Sequence, residues 1–247
     1  MTSESRSRQD TSHGAEPPAS DWPKVALAAV FVTALVTAQV IAVKVIALPV
    51  PDALPYLAPE VLVPAGVLAY ALTFVASDCY TEIYGRRNAV VMVNVGFLMN
   101  FVMLALVWLA ITMPAAETGV PQADFASVLG LSTNVVVASL AAYVVSQNWD
   151  VFVFHGLGEY TEGRMLWLRN LGSTLTSQLL DTVIFVSLAF AVVPAALGVG
   201  EALPLAVVLQ MIIGQYLVKL AIAVLDTPVV YAVVGWLKRG GYALEAT

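Results

Sequence analysis

Six apolar stretches, each near or above the length that crosses a bilayer, run through this sequence at 24–48, 61–77, 89–113, 125–147, 173–193 and 205–236. About 20 predominantly apolar residues span a hydrocarbon core. Inside lipid a backbone must satisfy its own hydrogen bonds, so such stretches become helices. The expected fold class is therefore an all-α integral membrane protein with six transmembrane helices. The second stretch is short unless it takes up part of the polar segment that follows. The last is long and contains Pro228, which predicts a kink or a break.

The basic residues order these spans. Arg6, Arg8 and Lys24 precede the first, Arg86 and Arg87 follow the second, Arg164 and Arg169 follow the fourth, and Lys238 and Arg239 follow the sixth. The loops after spans one, three and five hold no Lys or Arg. Nine of the eleven basic residues thus fall on one side, which by the positive-inside rule predicts that both termini are cytoplasmic. Trp22, Trp149, Trp167 and Trp236 fall at the same boundary, as an interfacial aromatic belt does.

Composition agrees. The chain is 60% hydrophobic and 11% charged, against about 25% charged for soluble domains. Its acidic balance argues against nucleic acid as a partner. Residues 1–22 are polar and rich in Ser, Pro and Gly, predicting a disordered cytoplasmic tail before a single six-span domain over 23–247. No basic segment leads into a short apolar run with a small-residue cleavage site, so no cleavable signal peptide is expected. Cys79, the lone cysteine, permits no internal disulfide or cysteine metal cluster and reads as a small apolar residue. His13 falls in the tail and His155 in a cytoplasmic loop without an evident metal partner.

The informative residues are the polar ones left inside. Lys44 and Lys219 both fall within spans, where a charge costs roughly 2.5–3.5 kcal/mol on insertion scales and ordinarily faces a partner or an aqueous cavity. Lys44 stands near the outer end of span one and can snorkel; Lys219 is deeper. The acids are Asp78, Glu82, Asp150, Asp181 and Asp226. Asp78 and Glu82, in "ASDCYTEIYGRRN" (76–88), are four apart and share a helix face beside Tyr80 and Tyr84. They line the inner mouth of a substrate path or pair with Arg86 and Arg87. Asp150 in "SQNWDVFVF" (146–154) is interfacial. In the fifth span Thr174, Ser177, Gln178, Asp181 and Phe185 follow spacings of three and four, a polar stripe ending in an aromatic. Span six carries Gln215, Lys219 and Asp226 on a similar face. Which acid neutralises which lysine stays open. No HExxH, GxSxG, P-loop, GxGxxG or haem motif is present ("HGLGEY" has the wrong spacing). The residues by themselves describe a polar-lined helix bundle for a small polar solute, with no enzyme chemistry, no metal and no cofactor expected.

Four of these segments also carry a resemblance. "SDCYTEIYGRRNA", "SQNWDVFVF", "LWLRNLGSTLTSQLLDTVIF" and "KLAIAVLDTPVVY" resemble the signatures of the queuosine precursor transporter family, also called a vitamin uptake transporter family. The resemblance runs from about Gln39 to Tyr231. It implies a six-helix importer, in the cell membrane, of 7-deazaguanine bases such as 7-cyano-7-deazaguanine or its aminomethyl form, for salvage into tRNA modification. It further implies functional positions at Asp78, Glu82, Tyr84, Gly85, Gln147, Asp150, Arg169, Ser173, Thr174, Gln178, Asp181, Lys219, Thr227 and Pro228. Gln39 stands where the family often has Asn, a departure that bears on pocket depth.

A guanine-like base carries adjacent N–H donors that one carboxylate accepts together, and its face stacks on aromatic rings for ~1–3 kcal/mol. The expected substrate contacts are therefore Asp181 as the main acceptor, with Gln178, Asp78, Glu82, Lys219, Phe185 and Gln39. Phe74, Phe185 and Tyr84 are the stacking candidates, and Lys44, Asp150, Ser173 and Tyr84 have supporting roles. The alternative is the substrate-binding subunit of an energy-coupling-factor type vitamin or nucleobase transporter. The chain has no nucleotide motif of its own, so ATP use would come from a partner. Homo-oligomers and an ATPase module stay open as partners beside the small molecule and the lipid bilayer.

Overall fold

The computed structural model describes residues 21–50, 59–162 and 165–240. The tail, Arg6, Arg8, His13, Arg164 and the Trp167 side chain lie outside the described residues. Helices dominate. Five stretches are long and apolar enough to cross a membrane: Trp22–Ile41, Arg86–Thr112, Gln122–Tyr160, Leu171–Leu197 and Leu205–Arg239. The protein is a multi-pass membrane protein. Leu68, Leu106, Leu209, Val224 and Leu225 stand outward, as lipid-facing side chains do.

Helix α1 (Trp22–Ile41) starts on Pro23, whose missing N–H is an orphan at a helix start in any case. Phe31, Ala34, Leu35 and Ala38, at spacings of three and four, form its buried face. The helix ends at Ile41. Strand β1 (Val45–Pro49) then pairs antiparallel with β2 (Glu60–Pro64), Val45 opposite Pro64 and Leu48 opposite Val61. This corrects the expected boundaries of the first two spans: 45–48 and 61–64 are strands, and Lys44 sits exposed in the turn before β1, outside any helix. Non-helical backbone at membrane depth is tolerated where protein buries it. Val63 is fully buried, and β2 packs on the last helix, where a Cβ at Gly214 would stand 2.5 Å from the Leu62 carbonyl oxygen. Only glycine leaves room for that strand.

Helix α2 (Gly66–Tyr84) carries Asp78 and Glu82 at its end. Gly85, with φ of +81°, reverses the chain directly into α3 (Arg86–Thr112). That conformation is open to glycine at no steric cost, so two helices meet without a loop. A short α4 (Gln122–Leu129) leads into α5 (Ser132–Tyr160), which packs along α6 (Leu166–Ser187). A π-helical turn, Leu188–Val192, passes into α7 (Val193–Leu197). Pro194 has no N–H for the Phe190 carbonyl, and Leu203 N–H donates to it at 2.8 Å instead. The last helix, α8 (Leu205–Arg239), continues through Pro228, so of the expected kink or break the break does not occur.

Two apolar clusters bracket the middle. One gathers Phe31, Leu35, Cys79, Tyr80, Ile83, Tyr84 and Leu237; the other Ala138, Val186, Phe190, Val208 and Met211. The rings of Trp22 and Trp236 meet at 6.1 Å, which brings the start of α1 and the end of α8 to the same end of the bundle. Lys238 pairs with Glu82 at 2.8 Å there, adding the end of α2.

Candidate functional site

A cavity of about 260 Å3 lies between the two clusters. On α2, Tyr70, Thr73, Phe74 and Ser77 face it at spacings of three and four. α6 contributes Gln178, Asp181 and Phe185; α8 contributes Gln215 and Lys219. Gln39 of α1 and Ser139, Tyr143 and Gln147 of α5 close the other side, with Phe97 of α3 beside Tyr143 at 4.1 Å between ring centroids. Pro64, at the end of β2, also lines the cavity.

An ion pair organises the wall. Lys219 Nζ donates to Asp181 Oδ2 at 2.6 Å; the lysine is 4% exposed and the aspartate 19%. Ser146 donates to the other oxygen of Asp181 at 3.4 Å, and the lysine ammonium sits 5.3 Å from the Tyr70 ring centroid. A buried lysine thus has an opposite charge on one side and a π face on another, which makes its burial tolerable. Gln39 donates from Nε2 to Ser139 Oγ at 3.1 Å. Two residues of the wall, Gln178 and Gln215, each keep a buried Oε1 with no hydrogen-bond partner among the described residues.

Of the residues expected at a site, Gln39, Gln178, Asp181, Phe185 and Lys219 meet at the cavity, together with Phe74 as a ring platform. Others do not. Asp78 is one position beyond Ser77, about 100° around the helix, and does not line the cavity; its carboxyl lies close enough to that of Asp226 on α8 for the two to interact electrostatically. Glu82 is exposed and paired with Lys238 rather than Arg86 or Arg87. Tyr84 is buried in an apolar cluster, 4.9 Å from the Tyr80 ring. Asp150 accepts from Ser177 Oγ at 3.1 Å, which takes Ser177 out of the expected polar stripe. Ser173 is buried and Lys44 is in its exposed turn; neither lines the cavity. Among the described residues no group of His, Cys, Asp and Glu is placed to hold a metal ion.

Sequence reasoning missed Tyr70, Thr73 and Tyr143 as cavity residues. The signal for the first two was present: Tyr70, Thr73 and Ser77 repeat at helical spacing through an otherwise apolar run. Gln215 was placed on the Lys219 face without being counted among the site residues.

Lipid-facing helices surround a mostly apolar cavity whose two charged side chains neutralise each other, an arrangement that suits a membrane transporter for a small molecule. Comparison with known proteins gives the family. The family model described as "Putative vitamin uptake transporter" matches residues 64–233. A protein of Bacillus subtilis (strain 168) named "Probable queuosine precursor transporter" is 33% identical over 168 residues, covering 68% of this chain and 69% of the relative. No solved structure matches the chain. The chain belongs to the vitamin uptake transporter family, as its four motifs imply.

Proposed function

We propose that this protein imports a 7-deazaguanine base, a precursor of queuosine, across the cell membrane for salvage into tRNA modification. The supporting observation is the cavity in its family context: an aromatic-walled, mostly apolar chamber with a few polar groups, in a chain similar to a named queuosine precursor transporter. Its 260 Å3 falls just below the ~300–1,000 Å3 of typical ligand pockets, a size suited to one fused ring system. Tyr70 and Phe74 on one side and Phe185 on the other offer faces for stacking, and the amides and the Asp181–Lys219 pair offer polar partners.

In this reading α2 is the sixth crossing, its apolar part in the membrane and its two acids at the cytoplasmic end. Both termini are cytoplasmic, because the basic residues flank that end. The protein works as a stand-alone carrier, the bundle enclosing its own substrate chamber. The test is uptake of labelled 7-cyano-7-deazaguanine and its aminomethyl form by cells that cannot synthesise the base and lack every energy-coupling ATPase module. Uptake that depends on this chain supports the proposal. Uptake that appears only when an ATPase module is restored supports the binding-subunit reading, and no uptake of either base in any strain overturns the proposal.

A further inference from the structure

We propose that a second cavity of this protein is the outer vestibule of the substrate route, and that Val135, Phe185 and Phe190 form the apolar gate between it and the central chamber. This rests on the transporter reading above and deepens it. The second cavity, of about 170 Å3, is lined by Val43, Val45, Leu131, Asn134, Phe190 and Glu201 among others. These residues come from the turn after α1, from β1, from the start of α5, from the π-helical turn and from the loop before α8. The start of α1 and the end of α8 meet at the other end of the bundle, at Trp22 and Trp236. The second cavity therefore lies at the end away from them, which is the non-cytoplasmic end in the orientation proposed above.

Three walls run from one cavity into the other without a break. On α5, Leu131 lines the vestibule, Val135 lines both cavities, and Ser139 and Ala142 line the central one. Spacings of four, four and three put them on one helix face. On α6 and the turn after it, Gln178, Asp181 and Phe185 of the central cavity lead at the same spacings to Ala189 of the vestibule. After α1, Ala42 lines the central cavity and its neighbour Val43 the vestibule.

Where the cavities adjoin, the partition is one layer of side chains. Val135 is 2% exposed and borders both. Phe185 lines the central cavity and Phe190 the vestibule, and their rings meet edge to face at 6.3 Å. The opposite end is closed more deeply: beyond Phe31 and Leu35 of the cavity wall, Tyr80, Ile83, Tyr84 and Leu237 pack together. A thin apolar constriction is a form of gate that membrane proteins use. Phe190 also has a means of moving. It sits in a π-helical turn, a feature frequent at functional sites, and a shift of that turn by one residue rotates the ring by about 100°. Leu203 N–H holds the Phe190 carbonyl at 2.8 Å, which fixes the closed position.

The experiment applies a membrane-impermeant, sulfonate-bearing thiol reagent to intact cells carrying the full chain with one cysteine added. Val43→Cys reports on the vestibule and Ser139→Cys on the central cavity. Cys79, buried in the cluster at the other end, is the internal control for an intact fold. Val43→Cys should react promptly from outside, and Ser139→Cys at least tenfold more slowly. Adding Val135→Ala or Phe190→Ala to Ser139→Cys should raise its rate at least tenfold, with Cys79 still unlabelled. Three results overturn the gate and leave the transporter reading standing: no reaction of Val43→Cys from outside, a Ser139→Cys rate that neither alanine changes, or an equal rise at Cys79, which marks general loosening. Failure of the transporter reading shows differently, because labelling needs no transport: it appears as no uptake of either labelled base by the native chain.

Discussion

Lys219 Nζ lies 2.6 Å from Asp181 Oδ2, so an ion pair between α8 and α6 forms part of the cavity wall. Both groups are largely withdrawn from bulk solvent, and the cavity lining offers neither of them a second opposite charge. Removing one leaves the other buried alone, which costs roughly 3–5 kcal/mol in comparable pairs.

Lys219→Met is therefore expected to lower both transport and thermal stability far more than Lys44→Met. Lys44 is exposed in the turn before β1, and exposed substitutions away from special features usually stay within about 0.5 kcal/mol. Melting of the detergent-solubilised variants, with uptake at matched protein levels, checks this. Equal, mild effects in the two would contradict the buried-pair assignment.

Asp181→Asn should insert normally, because an amide is easier to bury than a carboxylate, yet lose at least tenfold in affinity, since it leaves Lys219 charged and unpaired. Asp181→Glu should also be impaired, one added methylene displacing the carboxylate from the lysine. The double variant Asp181→Asn with Lys219→Met separates two roles. If the carboxylate acts by positioning Lys219, the double variant binds the labelled base better than Asp181→Asn alone; if it reads the base directly, no recovery follows.

Gly214→Ala is expected to be destabilising. The new Cβ would lie 2.5 Å from the Leu62 carbonyl oxygen and 3.2 Å from the Val61 Cβ, so β2 must move, and Pro64 with it. At Gly235, on the same helix, an added methyl would meet nothing within 4 Å, and Gly235→Ala should be neutral or stabilising by up to ~1 kcal/mol through helix propensity. A lower melting temperature and weaker uptake for the first, with neither for the second, are the expected pair of results.

Topology is testable through cysteine chemistry, because Cys79 is buried and contributes little background. Cysteines introduced at Arg86 and Arg239 should resist an impermeant thiol reagent applied to intact cells, and one at Glu117, in the loop after α3, should react. Labelling of the Arg86 or Arg239 positions from outside would invert the proposed orientation.

Much of this architecture follows from local sequence. A long apolar run in lipid has one inexpensive backbone solution, so α1, α3, α5, α6 and α8 could be placed from length and hydropathy, and the positions of Arg86, Arg87, Lys238 and Arg239 separate the two ends. Helical spacing also put Gln178, Asp181 and Phe185 on one face, and the structure brings them to one cavity. The hairpin escaped because Val45, Ile46, Ala47 and Leu48 form a continuous apolar run, which reads alike as buried strand or helix end. The tertiary structure alone decided that Lys219 pairs with Asp181, that Asp78 lies beside Asp226, and that Glu82 and Tyr84 stay outside the chamber. Periodicity specifies which residues share a face of one helix. Which face meets which depends on the rotation and neighbours of packed helices, and a step of one residue turns a side chain by about 100°, enough to carry Ser77 into the cavity and Asp78 out of it.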